Sequence, residues 1–176
     1  MAITVDFLSL ENRKALVDVV VDPKDRNKGF IQLQVQDVPW SKWQSLQLEL
    51  LGAQHNLSRN LLLFGQAEHS REQSMAYGEA MQRLIAAQTD ILRWCVSGHA
   101  EIFSADGSPV PFDTEIVTFD GVSYHVASAK MLWLYTSIGK TPTKPLTFLA
   151  EAALVCSKHQ TGEKQLTAEE RWLANQ

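Results

Sequence analysis

Near its start the chain alternates. Ile3, Val5 and Phe7 enclose Thr4 and Asp6, and Val17, Val19 and Val21 leave Asp18 and Asp22 on the opposite side. Ile31, Leu33 and Val35 alternate strictly with Gln32, Gln34 and Gln36. Period two of this kind predicts strands of a sheet packed on one face and wet on the other. Asp22-Pro23-Lys24-Asp25-Arg26-Asn27-Lys28-Gly29 is rich in turn formers and suits a hairpin connection between the last two strands. The expectation is a three-stranded antiparallel meander over residues 1–37. Its glutamine face reads as solvated surface, with self-association through an edge strand as the functional alternative.

From Val38 the period becomes helical. Pro39, then Ser41 with Gln44 at capping-box spacing, predicts a helix start. Trp43, Leu46 and Leu50 follow at helical steps, and Leu48 and Leu51 widen the apolar face. Trp40 and Trp43 read as anchors of this helix on the sheet, or alternatively as a pair seated in a partner's groove. Residues 55–60 read as a polar break, and 61–64 as a short apolar segment of undetermined type. The longest predicted element spans 68–95, with Tyr77, Met81, Leu84, Ile91 and Cys95 on one stripe. At 1.5 Å per residue it would measure roughly 40 Å, so it either breaks near Gly78 or crosses the whole body. Gln88 within the stripe reads as a solvated gap rather than a buried polar device.

Gly98 is placed to end that helix in the left-handed conformation. Asp106-Gly107 predicts a turn, and Pro109 and Pro111 stiffen a strap that presents Val110 and Phe112. Asp113 or Thr114 is expected to cap a short turn before Asp120-Gly121. A helix is then expected from Ser123, carrying Val126, Leu132, Leu134, Tyr135 and Ile138, closed by Gly139 and Pro142. Pro145 opens another through Cys156, and residues 157–165 are polar. Thr167 and Glu170 have capping-box spacing for a short last helix bearing Trp172, either docked or free. The fold class is therefore α+β: a small N-terminal antiparallel β-meander (1–37), a mainly α-helical body (38–160), and a polar linker with a short terminal helix (161–176), in one domain.

Composition narrows the field. The 176 residues are 45% hydrophobic and 20% charged, values of a folded globular chain. A formal charge of -4 and the lack of a dense Lys/Arg cluster argue against nucleic acid as partner. Neither a signal peptide nor an apolar run of about eighteen residues is read, so a cytosolic protein is expected. Cys95 and Cys156, far apart, fit free thiols in a reducing compartment.

Little in the chain speaks for chemistry. Cys95, His99, Cys156 and His159 could complete a tetrahedral zinc site only if two helix ends met, and a small buried hydrophobe is the plainer reading of Cys95. Ser97, His99 and Asp106 lack the strained elbow of a nucleophile, and His125 beside Tyr124 reads as a helix-face residue. Gly139-Lys140-Thr141 follows a predicted helix instead of opening one, so it is no phosphate loop. Asp113, Glu115 and Asp120 read as an acidic solvated loop, without the spacing of a metal loop. No enzyme, cofactor or metal is expected.

A helix ending in Arg93-Trp94, then Asp106-Gly107-Ser108-Pro109-Val110-Pro111-Phe112 and a further helical region, resembles the pattern of tail assembly chaperones of long-tailed phages. The close likeness is confined to the strap, and a looser one extends from Trp40 to Tyr135. It implies a non-catalytic protein of the host bacterium's cytoplasm that binds the tape measure protein and tail tube subunits. In that family a longer product often arises by frameshifting. Exposed aromatic residues would serve such a role, with Trp40, Trp43, Phe112, Trp133 and Trp172 as candidates. Homo-oligomerisation is compatible with it; nucleic acid and membrane are not expected partners. Alternatives are a virion structural component, such as a tail or neck connector, and a small metal-stabilised module or enzyme around Cys95, His99, Cys156 and His159.

Overall fold

The structure, a computed structural model, describes residues 13–64, 70–100, 102–138 and 147–175. Strand β1 (Lys14–Val20) pairs antiparallel with β2 (Phe30–Gln36), with Val17 opposite Leu33 and Val19 opposite Ile31. The predicted polar hairpin connection lies between them: Asp25 caps a 3₁₀ turn at Arg26–Lys28, and Val21 N–H reaches Gly29 C=O at 3.0 Å. Buried Asp22 organises this loop by accepting from Lys24 N–H at 3.0 Å and from Lys28 Nζ at 3.1 Å.

The α+β expectation holds, with an antiparallel meander β1-β2-β3 and a mainly helical remainder. Its third strand has an unexpected source. The stretch around Ile3, Val5 and Phe7 lies outside the described residues, and β3 (Val96–Ala100) supplies the strand instead, returning after a helical hairpin. Gly98 therefore does not end a helix. It sits in β3 beside Gln34, where a Cβ would come within 3.2 Å of Gln34 Oε1. The pairing slips at Gln34/Val35, leaving Ser97 as the extra residue of a bulge.

That hairpin consists of α1 (Trp40–Phe64) and α2 (Arg71–Cys95), each about 37 Å long at the standard rise. Helix α1 passes unbroken through the polar residues 55–60, where half-buried Leu57 and Asn60 continue the inward stripe of Leu46, Leu50 and Ala53 at three- and four-residue steps. It starts two residues earlier than Ser41 allows as a cap. Trp43 N–H bonds Pro39 C=O at 2.8 Å, and Ser41 Oγ turns to Asp120 Oδ2 at 3.4 Å. Helix α2 has its own capping box, Ser70 with Gln73, and does not break at Gly78. Gln88 is buried, not a solvated gap.

The chain next forms a second hairpin, β4 (Thr114–Phe119) and β5 (Val122–Ala127), where a helix from Ser123 was expected. Asp120 and Gly121 both take positive φ, 49° and 76°, as a two-residue hairpin turn of the primed type requires. Val126 and Ala127 go into the core. Helix α3 (Ala129–Ser137) starts only at the Ser128 cap, and residues 139–146, with the predicted Gly139, Pro142 and Pro145 signals, lie outside the described residues. Helix α4 (Thr147–Thr161) runs past Cys156 through part of the stretch read as polar, and α5 (Ala168–Leu173) has the expected Thr167–Glu170 capping box.

The core gathers Val17, Val19, Leu33 and Val35 of the sheet, Ile91, Leu92 and Cys95 of α2, Met131 and Tyr135 of α3, and Phe148, Leu149, Ala152 and Cys156 of α4. Among the described residues no helix is long and apolar enough to cross a membrane.

Candidate functional site

Where β2 hands over to α1, a cleft of about 660 Å³ opens between the start of β1, the end of α2 and strand β5. Its size falls within the range of roughly 300–1,000 Å³ typical of ligand sites. Aromatic side chains dominate it: Trp40 and Trp43 from the first turn of α1, Trp94 from the last turn of α2, and Tyr124 from β5. The three-residue step from Trp40 to Trp43 sets the two indoles about 60° apart around the helix, so both line the cleft although only Trp43 turns into the core. Trp43 is 3% exposed and forms part of the core, whereas Trp40 at the rim is 69% exposed. Leaving a large apolar side chain in water forgoes roughly 1.5–3 kcal/mol.

Trp94 is the hub. Its ring lies 5.8 Å from that of Phe119 in an edge-on arrangement and 5.6 Å from that of Tyr124. Lys42 Nζ stands 5.2 Å above it, a cation–π distance. Arg93, next in line, pairs with Glu115 of β4 and ties the second hairpin to α2. The polar rim has the same degree of organisation. Arg13 grips Asp37 with Nε to Oδ2 at 3.0 Å and Nη2 to Oδ1 at 3.3 Å, a two-point guanidinium–carboxylate contact. His159 Nε2 lies 3.2 Å from both Asp37 Oδ1 and Arg13 C=O.

Gln160 is a residue that sequence reasoning passed over. Its Nε2 donates to Gln36 C=O at 2.8 Å and its Oε1 accepts from Val38 N–H at 2.9 Å. It thus satisfies the backbone where β2 runs past the end of its pairing with β3. Gln36 Nε2 in turn donates to Trp94 C=O at 3.2 Å. Gln32 Nε2 donates to Asp18 Oδ1 at 3.0 Å, so the glutamine series does more than face water. Only its position at a strand end marks Gln36 in the sequence; nothing local marks Gln160.

The five aromatic candidates divide. Trp40 and Trp43 meet in the cleft; Phe112, Trp133 and Trp172 lie elsewhere. Phe112 packs edge-on to His99 at 5.5 Å. Trp133 projects from α3 at 72% exposure. Trp172 is buried in the docked tail, donating Nε1–H to Asp22 C=O at 3.2 Å and meeting the Phe30 ring at 6.3 Å.

Of the four candidate zinc ligands, two meet. Cys95 and Cys156 are both fully buried, and burial, then the neighbouring Cys156 thiol, pushes the Cys95 thiol well above its ordinary pKa. His159 is engaged at the Arg13–Asp37 corner. His99 Nε2 faces Val110 C=O at 2.8 Å and must carry the proton there, so Nδ1 accepts from Tyr135 Oη–H at 2.8 Å. His99 thus pins the proline strap to α3. Among the described residues no group of three His, Cys, Asp or Glu is arranged to hold a metal ion. Ser97 points to Gln34, and Asp106 accepts from Ser104 and Ser108, so neither approaches His99 as a triad partner. His125 lies on a strand at the cleft wall, not on a helix.

A second feature adjoins the cleft. From Trp40, the positions Gln44, Leu48, Leu51, His55, Ser58 and Leu62 follow at four- and three-residue steps along the outward side of α1. Leu48 and Leu62 are 71% and 77% exposed, and Leu51 is also exposed. Helix α1 is therefore apolar on two opposite faces, one buried and one open. Comparison of the chain with protein-family models, with curated proteins and with solved structures finds no match.

Proposed function

We propose that this protein is a non-enzymatic assembly chaperone, like those of long-tailed phages, that holds the tape measure protein and tail tube subunits in the cytoplasm of the host bacterium. The observation that carries the reading is the open apolar face of α1, Trp40, Leu48, Leu51 and Leu62, running along one helix. A helix that displays spaced leucines and a tryptophan to water suits an apolar helical partner, which would bury them in a helix-on-helix contact. The strap at 106–112 supports the same reading through its likeness to the chaperone pattern. The structured polar contacts of His99, Ser97 and Asp106 leave no assembled nucleophile among them, in keeping with a binding role.

The test is affinity capture from producing cells with identification of bound proteins by mass spectrometry. The expected result is a very long, helix-rich tape measure protein. Its capture should fall at least about tenfold for the triple variant Leu48→Gln/Leu51→Gln/Leu62→Gln, whose fold should persist because all three side chains are exposed. Recovery of no tail protein by the unaltered chain would overturn the reading.

A further inference from the structure

The cleft at the head of α1 differs from the leucine face beside it in its charge. Arg13 and Lys14 line it against a single carboxylate, Asp37, which Arg13 and His159 already engage. Lys14 forms no ion pair among the described residues. Lys42 stands over Trp94 with no ion pair among the described residues, and Asp90 lies within range of its charge. An excess of cationic groups around an aromatic cleft stands out on a chain whose formal charge is -4.

We infer that this cleft is a docking site for an acidic peptide segment, which inserts an apolar side chain against Trp40, Trp43 and Trp94 and sets carboxylates beside Lys14 and Arg13. The inference rests on the protein-binding reading above and names the chemistry of the segment bound. The aromatic walls supply contact area, and the unpaired lysine supplies sign selectivity. Charge complementarity of this kind governs which partner is accepted. The cavity volume suits one or two inserted side chains rather than a whole helix. A nucleic acid, which would also bring anions and stacking rings, is disfavoured by the net negative charge of the whole chain.

The test uses the full chain and two synthetic fifteen-residue amphipathic peptides with the same leucine and phenylalanine positions, one carrying glutamates and the other lysines, titrated by calorimetry. The glutamate peptide should bind, and more weakly as salt is raised. Trp40→Ala and Lys14→Glu should each weaken it by about tenfold or more, while Trp133→Ala, equally exposed but outside the cleft, should not. Thermal unfolding of Trp40→Ala, expected to match the unaltered chain, confirms that it is folded. Equal binding of both peptides, binding of neither, an unaffected Trp40→Ala, or displacement of the peptide by a thymidine oligonucleotide would overturn the inference. Capture of the tape measure protein without peptide selectivity sinks the cleft alone; peptide selectivity without capture sinks the chaperone reading and leaves the cleft.

Discussion

His99 shows how a residue's chemistry is decided by what lies across from it. As a letter in the chain it could be ligand, base or filler; between Val110 C=O and Tyr135 Oη it becomes a strut with both nitrogens used. Cys95 is similar, since its place on an apolar stripe indicated burial, and burial with Cys156 beside it is found. What could not be read was that Cys156, distant in sequence, would be its neighbour. Both Cys95 and Tyr135 have pKa values raised above their ordinary ones, chiefly by desolvation. In the unfolded chain they ionise more readily, so the folded state binds their protons more tightly. The stability this represents is fully present below the unfolded values, near pH 9 to 10, and is lost as pH climbs beyond them. The urea midpoint should accordingly hold between pH 7 and 8.5 and fall by pH 10.5. Cys95→Ala, although less stable throughout, should show a shallower alkaline fall; an equally steep one would mean that Cys95 takes no part.

At the scale of elements, local patterns succeeded where one face was buried and failed where two signals overlapped. Strands β1 and β2 were legible because Val17, Val19, Leu33 and Val35 all point to one core. Strand β5 was misread as helix, although Val122, Tyr124 and Val126 alternate and Asp120-Gly121 is a strong hairpin turn. The following apolar run, Met131 to Tyr135, masked that period by extending it in helical steps. Strand β3 carried no usable signal: Val96-Ser97-Gly98-His99-Ala100 is short, bulged and fused to the end of α2. The α5 capping box was legible, whereas its docking depended on remote partners: Asp18, which accepts from Ala168 N–H at 3.1 Å, Arg26, which pairs with Glu169, and Glu151, which pairs with Arg171. Because Trp172 anchors this contact, Trp172→Ala should cost about 3 kcal/mol in urea unfolding and expose the 162–166 link to limited proteolysis. Unchanged stability with an intact link would show that the tail is held by its ion pairs alone.

For the molecule as a whole, the cleft and the leucine face occupy opposite mechanical settings. The cleft lies where sheet, α1, α2 and α4 converge, and Trp43, Leu46, Ile91, Leu92 and Trp94 belong to the main core there. Farther along the α1–α2 hairpin the buried apolar residues dwindle to the small side chains Ala53 and Ala80, while Leu61, Leu62, Leu63 and Met75 are exposed. Neither Leu57 nor Met81 belongs to the core cluster of the described residues. Among the described residues little apolar area resists opening at the far end, and local unfolding free energy follows buried area. If the proposed chaperone function holds, a rigid cleft joined to an arm that can adjust its apolar face would suit the capture of a long helical partner. Amide hydrogen exchange should resolve this gradient, with residues 55–63 and 72–79 exchanging about one to two orders of magnitude faster than residues 88–95. Binding of the partner along α1 should slow the distal amides most, since they have the most order to gain; uniform protection along both helices before binding would rule out an adjustable arm.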